Sequence, residues 1–124
     1  MEIKFRVWML KSKQLIQPCY AEIFKDGSFS GGYNYLNSTE CILMQFTGLK
    51  DKNGKEIYFG DLMKQERSDI IYEVVWYKSA WAIKHKTKNA IWHQEFCNGV
   101  RLKFYEVIGN IHENPELIKD LQWK

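Results

Sequence analysis

Short extended segments, broken at close intervals by turn-forming residues, recur through this chain and decide most of what it can fold into. Ile3, Phe5, Val7 and Met9 alternate with Lys4, Arg6 and Trp8, the period of two expected of a strand. Leu15 to Phe24 reads as a second extended stretch, suited to a hairpin with the first across the polar turn 11–14. Pro18 assigns that stretch to an edge or a bend. The glycine-rich run 29–35 reads as a loop or short irregular strand, and the apolar run Cys41 to Phe46 as a buried strand. Asn53-Gly54, between short polar flanks, predicts a type I′ hairpin turn in which both central residues take positive φ. Gly60-Asp61 predicts a turn into a strand starting at Leu62. Ile70 to Tyr77 is β-branched and aromatic with only Glu73 charged, which predicts a central strand. Trp81 to Lys88, Val100 to Phe104 and Tyr105 to Ile111 continue the series. Asn114 is placed to cap a helix, Pro115 suits its first position and Glu116 complements the dipole, so a short helix is expected from about Pro115 to Leu121. The pattern predicts a mainly β (α+β) chain of one domain. It comprises an N-terminal strand region over about 1–40, a barrel-like part over about 41–111 and the helix over about 115–121.

A length of 124 residues leaves room for one domain of ordinary size. An apolar fraction of 45% beside a charged fraction of 27% belongs to a folded chain and excludes general disorder. No apolar run approaches the about 20 residues of a membrane span. Charges alternate with apolar residues from Glu2 onward, where a signal peptide needs an unbroken apolar region, so no membrane association is expected. Cys19, Cys41 and Cys97 are an odd set without a CxxC pair, which suits free thiols in a reducing compartment and a cytoplasmic location.

Spacings that carry chemistry are few. Gly54-Lys55 is followed by Glu56, where a phosphate-binding loop needs a hydroxyl for Mg²⁺, and no GxGxxG occurs. Gly27-Ser28-Phe29-Ser30-Gly31 sets Phe29 where a nucleophile elbow needs serine. His93 and Cys97 would share a face on a helix, but their segment reads as extended and no second pair completes four zinc ligands. No metal, cofactor or catalytic residue is therefore assigned. An enzyme would have to assemble its site from separated residues such as Asp61, Glu73 and His112.

The net charge of +3 is unevenly placed: residues 78–104 hold six Lys or Arg against one Glu, and the rest of the chain is close to neutral or acidic. In an extended segment Lys84, Lys86 and Lys88 share a face, with Trp81 and Trp92 near them in sequence. Cations beside aromatic platforms are what single-stranded nucleic-acid binding uses, lysines on phosphates and rings on bases. A lysine row also protects an exposed edge strand, and tryptophans in a small protein commonly belong to its core. Spacing alone leaves both readings open.

The phrase Gly48-Leu49-Lys50-Asp51-Lys52-Asn53-Gly54-Lys55-Glu56-Ile57-Tyr58-Phe59-Gly60-Asp61, within Leu43 to Lys64, resembles the YopX family of phage and prophage proteins. Glu2 to Trp8 is similar to that family's opening and Tyr105 to Leu117 to its end, although Met9-Leu10 stands where the family usually has Asp. The resemblance implies a phage- or prophage-encoded protein in the bacterial cytoplasm, an SH3-like β-barrel portion and self-association, with no established activity. Asn53, Gly54, Gly60, Asp61, Asn114 and Pro115 are then fold-specifying turn residues. The functional expectation is a non-enzymatic oligomeric module that contacts a host or phage protein or nucleic acid.

Overall fold

A computed structural model describes residues 4–19, 21–23, 29–31, 36–37, 41–86, 90–96 and 100–121. The chain divides into two compact units, Met1–Phe46 and Thr47–Lys124. Among the described residues it is mainly β, with curled antiparallel sheets and one short α-helix, as the turn-punctuated sequence predicts.

In the first unit β1 (Phe5–Met9) pairs antiparallel with β2 (Gln14–Cys19), closing the expected hairpin. Their register slips between Phe5 and Val7. Pro18 lies on β2 opposite that slip, where a residue without an N–H is tolerated. β3 (Ala21–Ile23), β4 (Phe29–Gly31) and β5 (Leu36–Asn37) form a separate three-stranded antiparallel sheet. The other side of β1 pairs with the start of β6 (Cys41–Lys50), Val7 opposite Leu43 and Met9 opposite Cys41. Among the described residues these four pack into one apolar cluster, in which Cys41 is buried. Alternation predicts that Arg6 and Trp8 face away from that cluster, yet both are buried, so β1 is covered on its two faces.

The second unit takes the end of β6, then β7 (Glu56–Tyr58), β8 (Asp61–Gln65), β9 (Ile71–Tyr77), β10 (Ala80–Lys86), β11 (Ile91–Glu95), β12 (Tyr105–Asn110) and α1 (Glu116–Leu121). Five of these strands form an antiparallel sheet in the order β11-β10-β9-β8-β12. One face carries the main core, including Ile57, Met63, Tyr72, Val74, Ile83 and Val107.

Three local expectations are corrected. Residues 102–104 form a 3-10 turn instead of a strand, closed by the Phe104 N–H on the Arg101 carbonyl at 3.0 Å. At Asn53-Gly54 only Gly54 has positive φ (+79°). The Gly54 N–H closes a turn on the Asp51 carbonyl, and Asp51 N–H bonds the Lys55 carbonyl beyond it, which is the three-residue hairpin loop with glycine in the left-handed position. The two-residue turn with positive φ at both centres lies instead at Lys78 (49°) and Ser79 (64°), between β9 and β10. Finally, α1 follows Pro115 as expected, but the Asn114 side chain accepts from the Asn110 N–H. It is the Asn114 backbone carbonyl that receives the Leu117 N–H.

Candidate binding surface

Three buried polar residues of the family-like phrases, Asp51, Asp61 and Asn110, are engaged by backbone. Buried Asp51 accepts the N–H groups of Asn53 and Lys55 on Oδ1 at 2.8 and 2.9 Å, and that of Val107 on Oδ2 at 2.9 Å. One carboxylate thus shapes the β6–β7 loop and ties it to β12, 56 residues away. Asp61, fully buried, takes the Tyr58 N–H at 2.7 Å. Asn110, opposite Asp61 in the β8–β12 register, accepts the N–H groups of His112 and Glu113. The Ile111 N–H reaches the Gly60 carbonyl at 3.0 Å. The central and terminal phrases therefore meet strand to strand. Reading the turn from Asn53-Gly54 alone misses Asp51, though an Asp two residues before Asn-Gly is the signal for side-chain-to-backbone turn bonds.

The register separates two of the residues that an enzyme would need to bring together, Asp61 and Glu73. Leu62 pairs with Glu73, so strand alternation sends Asp61 to the opposite face. Glu73 is engaged by Lys84, Nζ to Oε1 3.6 Å, and His112 sits in the turn after β12. Among the described residues no group of His, Cys, Asp and Glu is arranged to hold a metal ion.

The basic-aromatic residues sort onto two faces. Trp81 opposes Trp76 and His85 opposes Trp92, and these project with Ile83 toward the core face. Trp81 packs on the core, its ring 5.0 Å from Trp76 in an edge contact and 6.2 Å from Phe59. Trp92 stays exposed with its ring 5.9 Å from Tyr72. Lys84 and Lys86 occupy the opposite face of β10, and Lys88 lies outside the described residues. The lysines and the two named tryptophans therefore do not form one platform. β10 is also an interior strand, between β9 and β11, so its lysines do not guard an edge.

Beside the lysines stands a different pair of rings. Tyr77, the last residue of β9, stacks on His93 of β11 with centroids 3.9 Å apart and planes 4° off parallel. Lys84 opposes His93 in the register, and Lys78 holds its ammonium 5.3 Å from the Tyr77 ring centre. Burial, then Lys84 and Lys78, hold the His93 imidazole below its ordinary value. Local sequence spacing does not show this cluster, because Tyr77 and His93 meet only across β10.

Among the described residues of the second unit, two clefts stand out. One, about 370 Å³, is apolar and lined by Leu49, Ala80, Trp81, Phe96 and Leu102. The other, about 470 Å³, is lined by Gln65, Glu66, Arg67, Ser68 and Phe104. No described helix is long and apolar enough to cross a membrane.

The class defined by these features is a small antiparallel β protein in which buried Asp51, Asp61 and Asn110 hold its turns. The chain belongs to the YopX protein family, which matches it over residues 4–119. Protein EF1440 from Enterococcus faecalis has a similar fold, with a TM-score of 0.62 and 22% identity over 96% of this chain and 99% of its own. Protein yopX from Bacillus subtilis is similar with a TM-score of 0.63 and 19% identity, over 98% of this chain and 99% of its own. No curated protein matches.

Proposed function

We propose that this YopX-family protein is a non-enzymatic contact module, encoded by a phage or prophage, that works as an oligomer in the bacterial cytoplasm. Its working surface is the β9–β11 part of the second sheet, and its first partner class is single-stranded nucleic acid. The observation that carries this reading is the Tyr77–His93 stack flanked by Lys78 and Lys84, with Lys86 further along β10. It lies in the segment that holds the chain's excess of positive charge. Aromatic rings and ammonium groups within one surface are the elements of sequence-tolerant strand binding. The buried carboxylates support a non-catalytic role, since Asp51 and Asp61 are committed to backbone N–H groups.

Titration of labelled single-stranded DNA and RNA across a salt series tests the reading. Binding should fall steeply as salt rises, and Lys84→Glu with Lys86→Glu should abolish it. Affinity indifferent to salt and to both substitutions would remove the assignment. Light scattering at micromolar concentration should show a species larger than the monomer.

A protein partner is the second reading, favoured by the apolar cleft at Trp81 and the exposed Trp76 beside it. Affinity capture from infected cells, with and without nuclease, separates the two. A partner retained after nuclease supports the protein reading, and one lost supports nucleic acid.

A further inference from the structure

The β9–β10 turn carries a backbone anomaly. Lys78 and Ser79 are consecutive residues with φ of 49° and 64°, neither of them glycine, asparagine or aspartate. A side chain with a Cβ is disfavoured there, and Asn-Gly is the pair that such a turn selects for stability. This chain does contain Asn-Gly, at 53–54, where a single positive φ is required. Strained backbone of this kind is retained where a side chain is used.

What the turn retains is an ammonium group at an exposed tip. Lys78 and Ser79 are both exposed, and Lys78 reaches over the Tyr77 ring, which lies flat on His93. Lys84 stands opposite His93 on the neighbouring strand. The tip thus gathers two ammonium groups and an imidazole beside a ring stack, with Glu73 balancing one of them through its ion pair to Lys84. We propose that the β9–β10 tip is a phosphate-binding site, in which Lys78, Lys84 and His93 hold a backbone phosphate of a nucleic-acid strand and the strained turn is kept to present Lys78. This rests on the nucleic-acid reading above and names the place of contact within it.

The depressed His93 fits the same geometry. A phosphate lying between the lysines would neutralise the charges that oppose imidazole protonation. The charged and titratable groups that share its face by register are Glu73 and Tyr77 on β9, Lys84 and Lys86 on β10 and Glu95 on its own strand, with Lys78 at the tip.

Two variants of the full chain test the proposal against an oligodeoxythymidylate of about 12 nucleotides. Ser79→Gly relaxes one strained residue and keeps Lys78. Lys78→Asn with Ser79→Gly restores the preferred turn pair and removes the ammonium. Both should raise Tm by about 2–4 °C. The single variant should bind as the parent does, whereas the double variant should lower the log–log salt slope by about one phosphate contact. In the parent, the His93 titration midpoint followed by NMR should rise when the oligonucleotide is added. A double variant that is more stable and binds with unchanged affinity and slope overturns the tip assignment while the wider reading stands. A parent chain that binds no oligonucleotide at low salt overturns both.

Discussion

Gly109 has no room for a side chain. A Cβ there would fall on the Asn114 carboxamide, 2.7 Å from its Cγ, and that carboxamide accepts the Asn110 N–H. Gly109→Ala should destabilise the fold by about 1–3 kcal/mol, the usual range for overpacking. Adding Asn114→Ala removes the obstructing atoms, so denaturant unfolding of the pair should show recovery, and simple additivity of the two losses would reject the clash as the cause. Asp51 gives a second test. Asn has the same size but would turn an N–H₂ donor either toward Val107 N–H or toward the Asn53 and Lys55 N–H groups. Asp51→Asn should therefore destabilise by about 1–3 kcal/mol despite its conservative shape, and a neutral result would contradict the three-bond geometry. Neighbouring positions differ by conformation. Gly54→Ala places a Cβ at φ +79° and should lower stability by about 1 kcal/mol or more. Asn53→Ala, where φ is not positive, should stay within about 0.5 kcal/mol.

At the scale of elements, alternation and turn chemistry make β1, β6, β9, β10, β12 and the short helix legible in the amino-acid sequence. The 3-10 turn at 102–104 is not legible there, because Leu-Lys-Phe has the apolar-polar-apolar order of a strand and only the backbone bonds from Phe104 to Arg101 and from Tyr105 to Leu102 depart from it. The candidate site is legible by half. Period two correctly groups Lys84 with Lys86, but closeness in sequence does not say that Trp81 and Trp92 take the other face. That follows from register, which non-local pairing decides. β10 makes the two-faced character measurable. Ile83→Ala, at a fully buried core position, should cost about 2–5 kcal/mol. Lys84→Ala breaks a pair that keeps partial solvent access and should cost less than about 1 kcal/mol. Comparable losses for both would contradict the assignment of faces.

For the molecule as a whole, the folded state binds protons differently from the unfolded chain at both ends of the pH scale. Tyr72 and Tyr105 face each other in the second unit's core, centroids 5.8 Å apart. Burial raises both phenols above 10.0, and Tyr72 adds to the shift at Tyr105. A raised acid keeps its proton in the fold, so its contribution is fully present below pH 10.0 and is lost as pH rises through the folded value. His93 works at the other end. Its value is lowered from 6.5, so the fold resists protonation there, and the contribution present above pH 6.5 is lost as pH falls through the folded value. Denaturant midpoints should therefore form a plateau between these limits and decline on either side. Tyr72→Phe and Tyr105→Phe keep the ring packing and remove the ionising group, so each should flatten the alkaline decline. His93→Asn should flatten the acid one. An alkaline arm unchanged in both phenylalanine variants would show that the buried phenols are not its source.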